Sequence, residues 1–260
     1  MPTSNDHTAA SEQVSYDVAG YDAFRARARD DALSANQRAG FPDSYRAGRS
    51  DDILRDIAGK LRAFERPGAV LLDIGCGCSE LTHALIDAAG ARNQRLTLVD
   101  SAEMLEQLPS PGHVTKVVGR FPDCGGAIEP ALGAAGFDAV LAYSVAQYVF
   151  LEANLVAFVD AATSLLSGTG AFLLGDLPNA SMRNRFFASP SGRRHHAIHY
   201  PGRPEPTATF NAPQPGQIDD AVVFGLIARA RAAGFHAFVL PQAPELPMAN
   251  RREDILIRRP

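Results

Sequence analysis

Residues 71–79 read LLDIGCGCS, and this stretch decides how the rest of the chain is read. The apolar run AVLLDIG (69–75) ends on an acid and then spends glycines at positions 75 and 77. A short apolar run stopped by glycine is the pattern of a strand buried on both faces. The glycines let the backbone turn sharply and leave no Cβ between it and anything resting on the turn. The next stretch, SELTHALIDAAG (79–90), places Leu81, Ala84, Leu85 and Ala88 on one helical face and closes on Gly90. Strand, glycine turn and helix together form the opening unit of a doubly wound sheet, whose ligands bind beyond the carboxyl ends of the strands.

The pattern repeats downstream. RLTLVDS (95–101), VTKVVG (114–119), FDAVLAYSV (137–145) and GAFLLGD (170–176) read as further strands. Between them lie a short helix, a glycine-interrupted AIEPALGAAG and an amphipathic NLVAFVDAATSLLSG (154–168). Residues 177–217 are rich in proline, histidine and arginine, show no periodicity, and read as a long substrate-binding insertion. IDDAVVFGLIARARAAG (218–234) predicts a helix, and FHAFVLPQ (235–242) and DILIRRP (254–260) predict two closing strands. Upstream, residues 1–15 read as a disordered tail and 16–66 as a helical cap, with Ser50 the N-cap of a helix over 51–63. The alternation predicts an α/β fold: a mostly parallel sheet with helices on both faces.

Composition narrows the function classes. The chain has 260 residues, 46% of them hydrophobic and 21% charged, with a net charge of −4. That supports one large α/β domain and gives no electrostatic case for a nucleic-acid or membrane partner. No apolar run is long enough to span a bilayer, and the polar N-terminus lacks a signal-peptide core, so a cytoplasmic protein is expected. A homodimer stays open. Cys76, Cys78 and Cys124 make no disulfide framework. C-x-C at 76–78 lacks the further ligands that a four-coordinate metal needs, so no metal is predicted and both cysteines read as small residues in a crowded turn.

A dinucleotide fingerprint, G-x-G-x-x-G, would need a third glycine where this chain has Glu80. An acid there also opposes a pyrophosphate at the helix start. The alternative D-x-G-x-G-x-S, from Asp73 to Ser79, resembles motif I of the class I S-adenosylmethionine (SAM) dependent methyltransferases. LTLVDSAEML, VVGRFPD, FDAVLAYSVAQYV and LLSGTGAFLLGDLPN resemble that family's later motifs, in order over about residues 69–177. The resemblance implies a Rossmann-like sheet of seven strands, mostly parallel with the last antiparallel, and SAM as cofactor. It implies contacts from Asp73, Gly75 and Gly77, and from Asp100, whose carboxylate would accept the ribose hydroxyls, with Ser101 beside it. Arg120 and Phe121 would lie at the adenine, and Tyr143 and Ser144 beneath the methionine part. Gln147 takes the place often held by histidine.

At a finer level GDLPN, RNRFFASPSG and LPMANRREDILI look like methyltransferases of bacterial surface-polysaccharide biosynthesis, which implies a sugar or nucleotide-sugar substrate. Candidate substrate contacts are Tyr45, Arg46, Gln147, Asn179, Arg183 and Arg185, the arginines because a guanidinium grips phosphate bidentately. Asp176, His196 and His199 are candidate bases or orienting groups for a hydroxyl nucleophile. Two rival classes stay open at this point: a nicotinamide-dependent oxidoreductase and a SAM-binding module without chemistry.

Overall fold

The computed structural model describes residues 20–132, 135–212 and 214–260, so the tail expected at 1–15 lies outside the described residues. Four helices come first: α1 (Tyr21–Ala28), α2 (Ala35–Arg38), α3 (Asp43–Arg46) and α4 (Ser50–Lys60). Then follow β1 (Val70–Ile74), α5 (Glu80–Ala91), β2 (Arg95–Asp100), α6 (Ala102–Glu106), β3 (Val114–Val118), α7 (Gly125–Leu132) and β4 (Phe137–Tyr143). The second half comprises α8 (Ala146–Glu152), α9 (Leu155–Ser164), β5 (Leu166–Pro178), α10 (Ala180–Ala188), α11 (Pro190–His199), α12 (Asp220–Ala232), β6 (His236–Pro241) and β7 (Arg252–Arg258).

The strands form one seven-stranded sheet in the order β3-β2-β1-β4-β5-β7-β6. β1 to β5 run parallel, and β7 is antiparallel to both β5 and β6. The chain winds outward from β1 to β3 and then returns to β4 on the other side of β1. That reversal opens a crevice at the carboxyl ends of β1 and β4, where ligands bind in such sheets. Asp73 sits there, in register with Leu98 on one side and Leu141 on the other.

Side-chain alternation along the strands splits the core in two. Leu72 and Ile74 join Val140 and Phe172 on one face, against α9 and α12. Leu71 joins Leu96, Leu98, Leu141 and Leu173 on the other, against α4 and α5. Leu71, Leu72 and Leu173 are fully buried, and each such side chain stabilises the fold by about 1.5–3 kcal/mol. By the same alternation Asp73 shares the face of Leu71, so its carboxylate is aimed under the N-terminal helices.

The structure changes three expectations. Ser50 is the first residue of α4 and Arg49 its N-cap, with no side-chain capping bond; Asp51 and Asp52 still lie in the first turn. The helix stops at Lys60, and a 3₁₀ turn (Arg62–Glu65) follows. β5 begins at Leu166, four residues before the predicted start, because the chain pairs Phe137 with Leu166 ahead of a register shift. The segment 177–217 is not structureless: it holds α10 and α11, and these two helices pack on each other. Their caps were readable in the sequence. Asn179 accepts from the Met182 N–H, and Ser189 from the Gly192 N–H with Pro190 at the first helical position. Among the described residues no helix is long and apolar enough to cross a membrane.

Candidate active site

The turn after β1 is shaped for close approach. Gly75 and Gly77 have φ of +71° and +60°. A Cβ on Gly75 would stand 2.7 Å from Val145 Cγ2, at the start of the loop beyond β4. Side chains at either position would therefore cost backbone strain, and at Gly75 a collision as well. The Gly75 N–H donates to the Val99 carbonyl at 2.8 Å, tying the turn to the end of β2.

Asp100 completes the cradle. Its Oδ2 accepts the Gly77 N–H at 2.8 Å, and its Oδ1 accepts the Ser101 N–H at 2.7 Å. Each oxygen keeps a further lone pair, so a vicinal diol can donate to both without rearrangement. Burial raises the proton affinity of Asp100, and the two N–H donors oppose that rise. Asp73 lies on the adjacent strand and accepts no hydrogen bond among the described residues. It is 6% exposed, and burial, followed by repulsion from Asp100, pushes its carboxyl up to about 8. Among the described residues no cation is paired with either acid, an arrangement whose electrostatics a positively charged ligand would complete.

The cavity above this turn is roofed by α1 and α8. It is lined by Tyr21, Phe24, Tyr148 and Glu152 together with Asp73, Gly75, Gly77, Asp100, Arg120, Phe121, Tyr143 and Ser144. Phe24 packs edge-on against Tyr148 with centroids 4.7 Å apart. Glu152 ties the roof down by accepting the Tyr21 N–H at 3.2 Å and pairing with Arg120 at 3.1 Å. Arg25 and Arg29 clamp Glu103 of α6 at 2.8 and 2.5 Å, and the Arg25 hydrogen bond holds the Glu103 carboxyl at about 2. Phe121 packs edge-on against Phe158 at 5.2 Å, which makes an apolar wall at the far end. The thiols face an inert setting: burial pushes Cys76 well up and Cys78 up to about 11.

Beside the cavity lies a second, smaller cleft lined by Phe41, Tyr45, Arg46, Tyr143, Asp176, Met248 and Arg252. Arg46, Phe41 and Tyr143 line both spaces and form the partition. The Arg46 guanidinium stacks over Phe41 at 4.0 Å and donates through Nη2 to Asp176 Oδ2 and Ser144 Oγ, each at 2.8 Å. Arg252 donates through Nη1 to the same Oδ2 at 2.8 Å and to the Asp176 carbonyl at 3.0 Å. Gln242 reaches Asp176 Oδ1 at 3.2 Å. Ser144 and Asp176 both take left-handed backbone, with φ of +62° and +57°, a conformation that costs energy at non-glycine residues and gathers at functional sites. Burial alone would raise the Asp176 carboxyl; Arg252 and Arg46 outweigh it and hold the group below the usual carboxylate range. Asp176 is thus suited to orienting guanidiniums and poorly suited to taking a proton.

Several predicted residues lie away from both spaces. His196 is buried on α11, its Nε2 3.3 Å from the Arg203 carbonyl and its ring stacked on Tyr200. His199 lies on the same helix against His195, with ring centroids 4.3 Å apart. Asn179 caps α10 and donates to Asp220 and Glu253 at 2.8 and 2.6 Å. Arg185 pairs with Asp220, and Arg183 lies over Phe187. Ser101 caps α6. Gln147 donates to the Ser144 carbonyl at 2.8 Å while its buried Oε1 has no partner among the described residues. Tyr45 does line the second cleft, bonded to Tyr200 at 3.1 Å between hydroxyl oxygens. Among the described residues no His, Cys, Asp and Glu cluster could hold a metal ion. The reading of the sequence missed Tyr21, Phe24, Tyr148, Glu152, Gln242 and Arg252. α8 was hidden because it is only seven residues long, too few for a periodic signal.

No protein-family model and no curated protein matches the sequence. Solved structures match in fold. The N-methyltransferase NodS from Bradyrhizobium japonicum WM9, bound to S-adenosyl-L-homocysteine (SAH), superposes with a TM-score of 0.54 over 92% of this chain and 98% of that one, at 14% identity. The plantazolicin methyltransferase BamL, in complex with a triazolic desmethylPZN analog and SAH, gives 0.55 over 92% and 97%, also at 14% identity. The CurJ carbon methyltransferase gives 0.52 over 87% of this chain and 61% of that chain, at 14% identity. The seven-stranded sheet with its antiparallel β7 is the Rossmann-like fold that these methyltransferases share.

Proposed function

We propose that the protein is a SAM-dependent methyltransferase acting on a small molecule. The observation that carries this reading is the pair of acids at the switch point, buried Asp73 and half-buried Asp100, which stand beside a glycine turn with no cation paired to either among the described residues. Asp100 offers two oriented lone pairs to a ribose diol, and Asp73 offers a carboxylate to an ammonium or sulfonium group. Arg120, Phe121, Tyr143 and Ser144 all line the cavity, and in this reading the first two meet the adenine and the last two lie beneath the methionine part. The fold neighbours that hold SAH add weight. Bound there, SAM supplies an electrophilic methyl group on a positively charged sulfur. The chain's own residues position donor and acceptor and keep water out, and such positioning contributes roughly 7–11 kcal/mol of barrier reduction.

A nicotinamide cofactor fits worse, because Glu80 at the start of α5 opposes a pyrophosphate and stands where a dinucleotide turn needs its third glycine, whereas Asp100 suits the ribose of either cofactor. The sugar or nucleotide-sugar acceptor follows from the sequence resemblance. A hydroxyl nucleophile would call for a base, and the two clefts offer none suited to the task. Asp176 is held low by guanidiniums, Tyr143 is pushed well up by burial, and the histidines of α11 lie elsewhere. A neutral amine on such an acceptor needs no base, and we favour it over the hydroxyl. We assign the 177–217 segment to the acceptor side, through Tyr200. Three free cysteines fit a reducing, cytoplasmic setting.

Titration separates the classes. SAH at a hundred times its Kd should stabilise the protein by about 2.7 kcal/mol, and NAD should not. SAH release in the presence of amino-sugar and neutral-sugar nucleotides then reads out chemistry. Tight SAH binding with no turnover on any acceptor would favour a binding module, and stabilisation by NAD alone would overturn the reading.

A further inference from the structure

The second cleft carries more positive charge than its one acid can neutralise, in a chain whose overall charge is −4. Asp176 serves both Arg46 and Arg252, using Nη2 of the first and Nη1 of the second. The other guanidinium nitrogens of these two arginines donate to no described residue. Both side chains are largely withdrawn from solvent, at 10% and 16% exposure. Arg251 stands next to Arg252, and its one side-chain hydrogen bond among the described residues goes to Asn250, at 3.2 Å. Burial lowers its proton affinity, as do the neighbouring Arg252 and Arg183. Arg251 and Arg183 both lie over the Phe187 ring, at 5.7 and 5.3 Å, and neither pairs with an acid among the described residues. The loop that delivers Arg251 and Arg252 turns at Met248, whose φ of +63° is unfavourable for a side chain of that size. Desolvating a guanidinium without a full counter-ion costs stability, so two arginines that share one acid in the cleft, with the unpaired Arg251 beside them, point to a ligand of opposite sign.

We infer that the second cleft binds an anionic group of the methyl acceptor, a carboxylate or a phosphate, with Arg252 as its contact in the cleft, Arg251 reaching it from beside the lining, and Arg46 as the wall between that group and the cofactor cavity. The planar fork of arginine matches either anion through paired N–H donors. Tyr45 and Tyr200 stand at the same place, joined through their hydroxyls, and Tyr45 feels both Arg251 and Arg252. They can donate to the same oxygens. The anion is a handle: it fixes the acceptor in the cleft while the nucleophile points past Arg46 and Tyr143. This inference rests on the proposed methyl transfer for the word acceptor, and on the cleft alone for the anion.

The test is calorimetric titration of the full chain, with and without saturating SAH, at constant ionic strength. Inorganic pyrophosphate and malonate serve as probes of the two anion types. Saturable binding of one or both is expected, weakened at least tenfold by Arg251→Gln and by Arg252→Lys, with SAH affinity unchanged in both variants. The tighter probe identifies the source of the anion. Arg251→Gln removes no ion pair, so it keeps the test open if Arg252→Lys disturbs the Asp176 network. Absence of saturable binding of either probe to the wild-type chain, or equal binding to wild type and Arg251→Gln, overturns the inference. Arginine-dependent anion binding in a protein that ignores SAH would leave the cleft assignment standing and remove the methyltransferase reading instead.

Discussion

The two sides of the switch point hold buried acids in opposite circumstances. At the end of β1, Asp73 has no hydrogen-bond donor among the described residues and faces Asp100, so its proton is held up to about 8. At β5, Asp176 has two guanidiniums, a hydroxyl and an amide, so its proton is shed easily. Both are carboxylates in a dry place, and the difference lies in what surrounds them. The first is an uncompensated negative site and suits a cation. The second is an over-compensated one and leaves a positive surplus. In the proposed reading, the sign of the unpaired charge therefore distinguishes the cofactor side from the acceptor side.

The largest effect that could break this contrast is on stability. Removing Asp176 strands two buried guanidiniums, so Asp176→Ala should cost about 3–5 kcal/mol in a urea titration. A loss under about 1 kcal/mol would mean that the network is slack. Next comes Asp100→Ala, which removes the acceptor for both the Gly77 and Ser101 N–H groups as well as for the ribose. SAH affinity should fall by about 1.5–3 kcal/mol, roughly ten- to 150-fold; an unchanged Kd would take Asp100 out of the site.

Asp73 gives a pH signature. Its folded proton affinity lies above the unfolded value of about 3.9, so the ligand-free folded state holds a proton that the unfolded chain has lost. That contribution to stability is fully present below about pH 4 and is lost as pH rises through about 8. Asp73→Asn should flatten this part of the stability profile. At pH 7 a cationic ligand that pairs with Asp73 should expel close to one proton, read as a buffer-dependent heat of binding; no buffer dependence would count against that pairing. The smallest effect is expected at the roof. Glu103→Gln loosens the Arg25 and Arg29 clamp, and SAH release should quicken by less than about tenfold. Stopped-flow displacement would measure it, and slower release would contradict the role given to α1.

Much of this was legible from residues alone, for physical reasons. Gly75, Gly77 and Asp100 shape the turn through backbone conformation and one carboxylate at a strand end, which are local properties, and the strand–helix alternation predicted a parallel sheet without giving the order of its strands. The acceptor side was harder to read. Arg46 and Arg252 lie 206 positions apart and meet only because the N-terminal helices fold over the end of β5. The histidines of α11 looked like catalytic groups because their density in sequence is high, yet their rings stack on neighbours within the same helix pair. Tertiary placement decided those cases, and no local pattern carries it.

Arg46 belongs to α3, outside the sheet, and it is the post on which the wall between the two chambers stands. Whenever the N-terminal segment lifts, the two compartments merge and both lose a side. Filling either one should therefore hold the segment down for the other, so that donor and acceptor each prepare the room that the other needs.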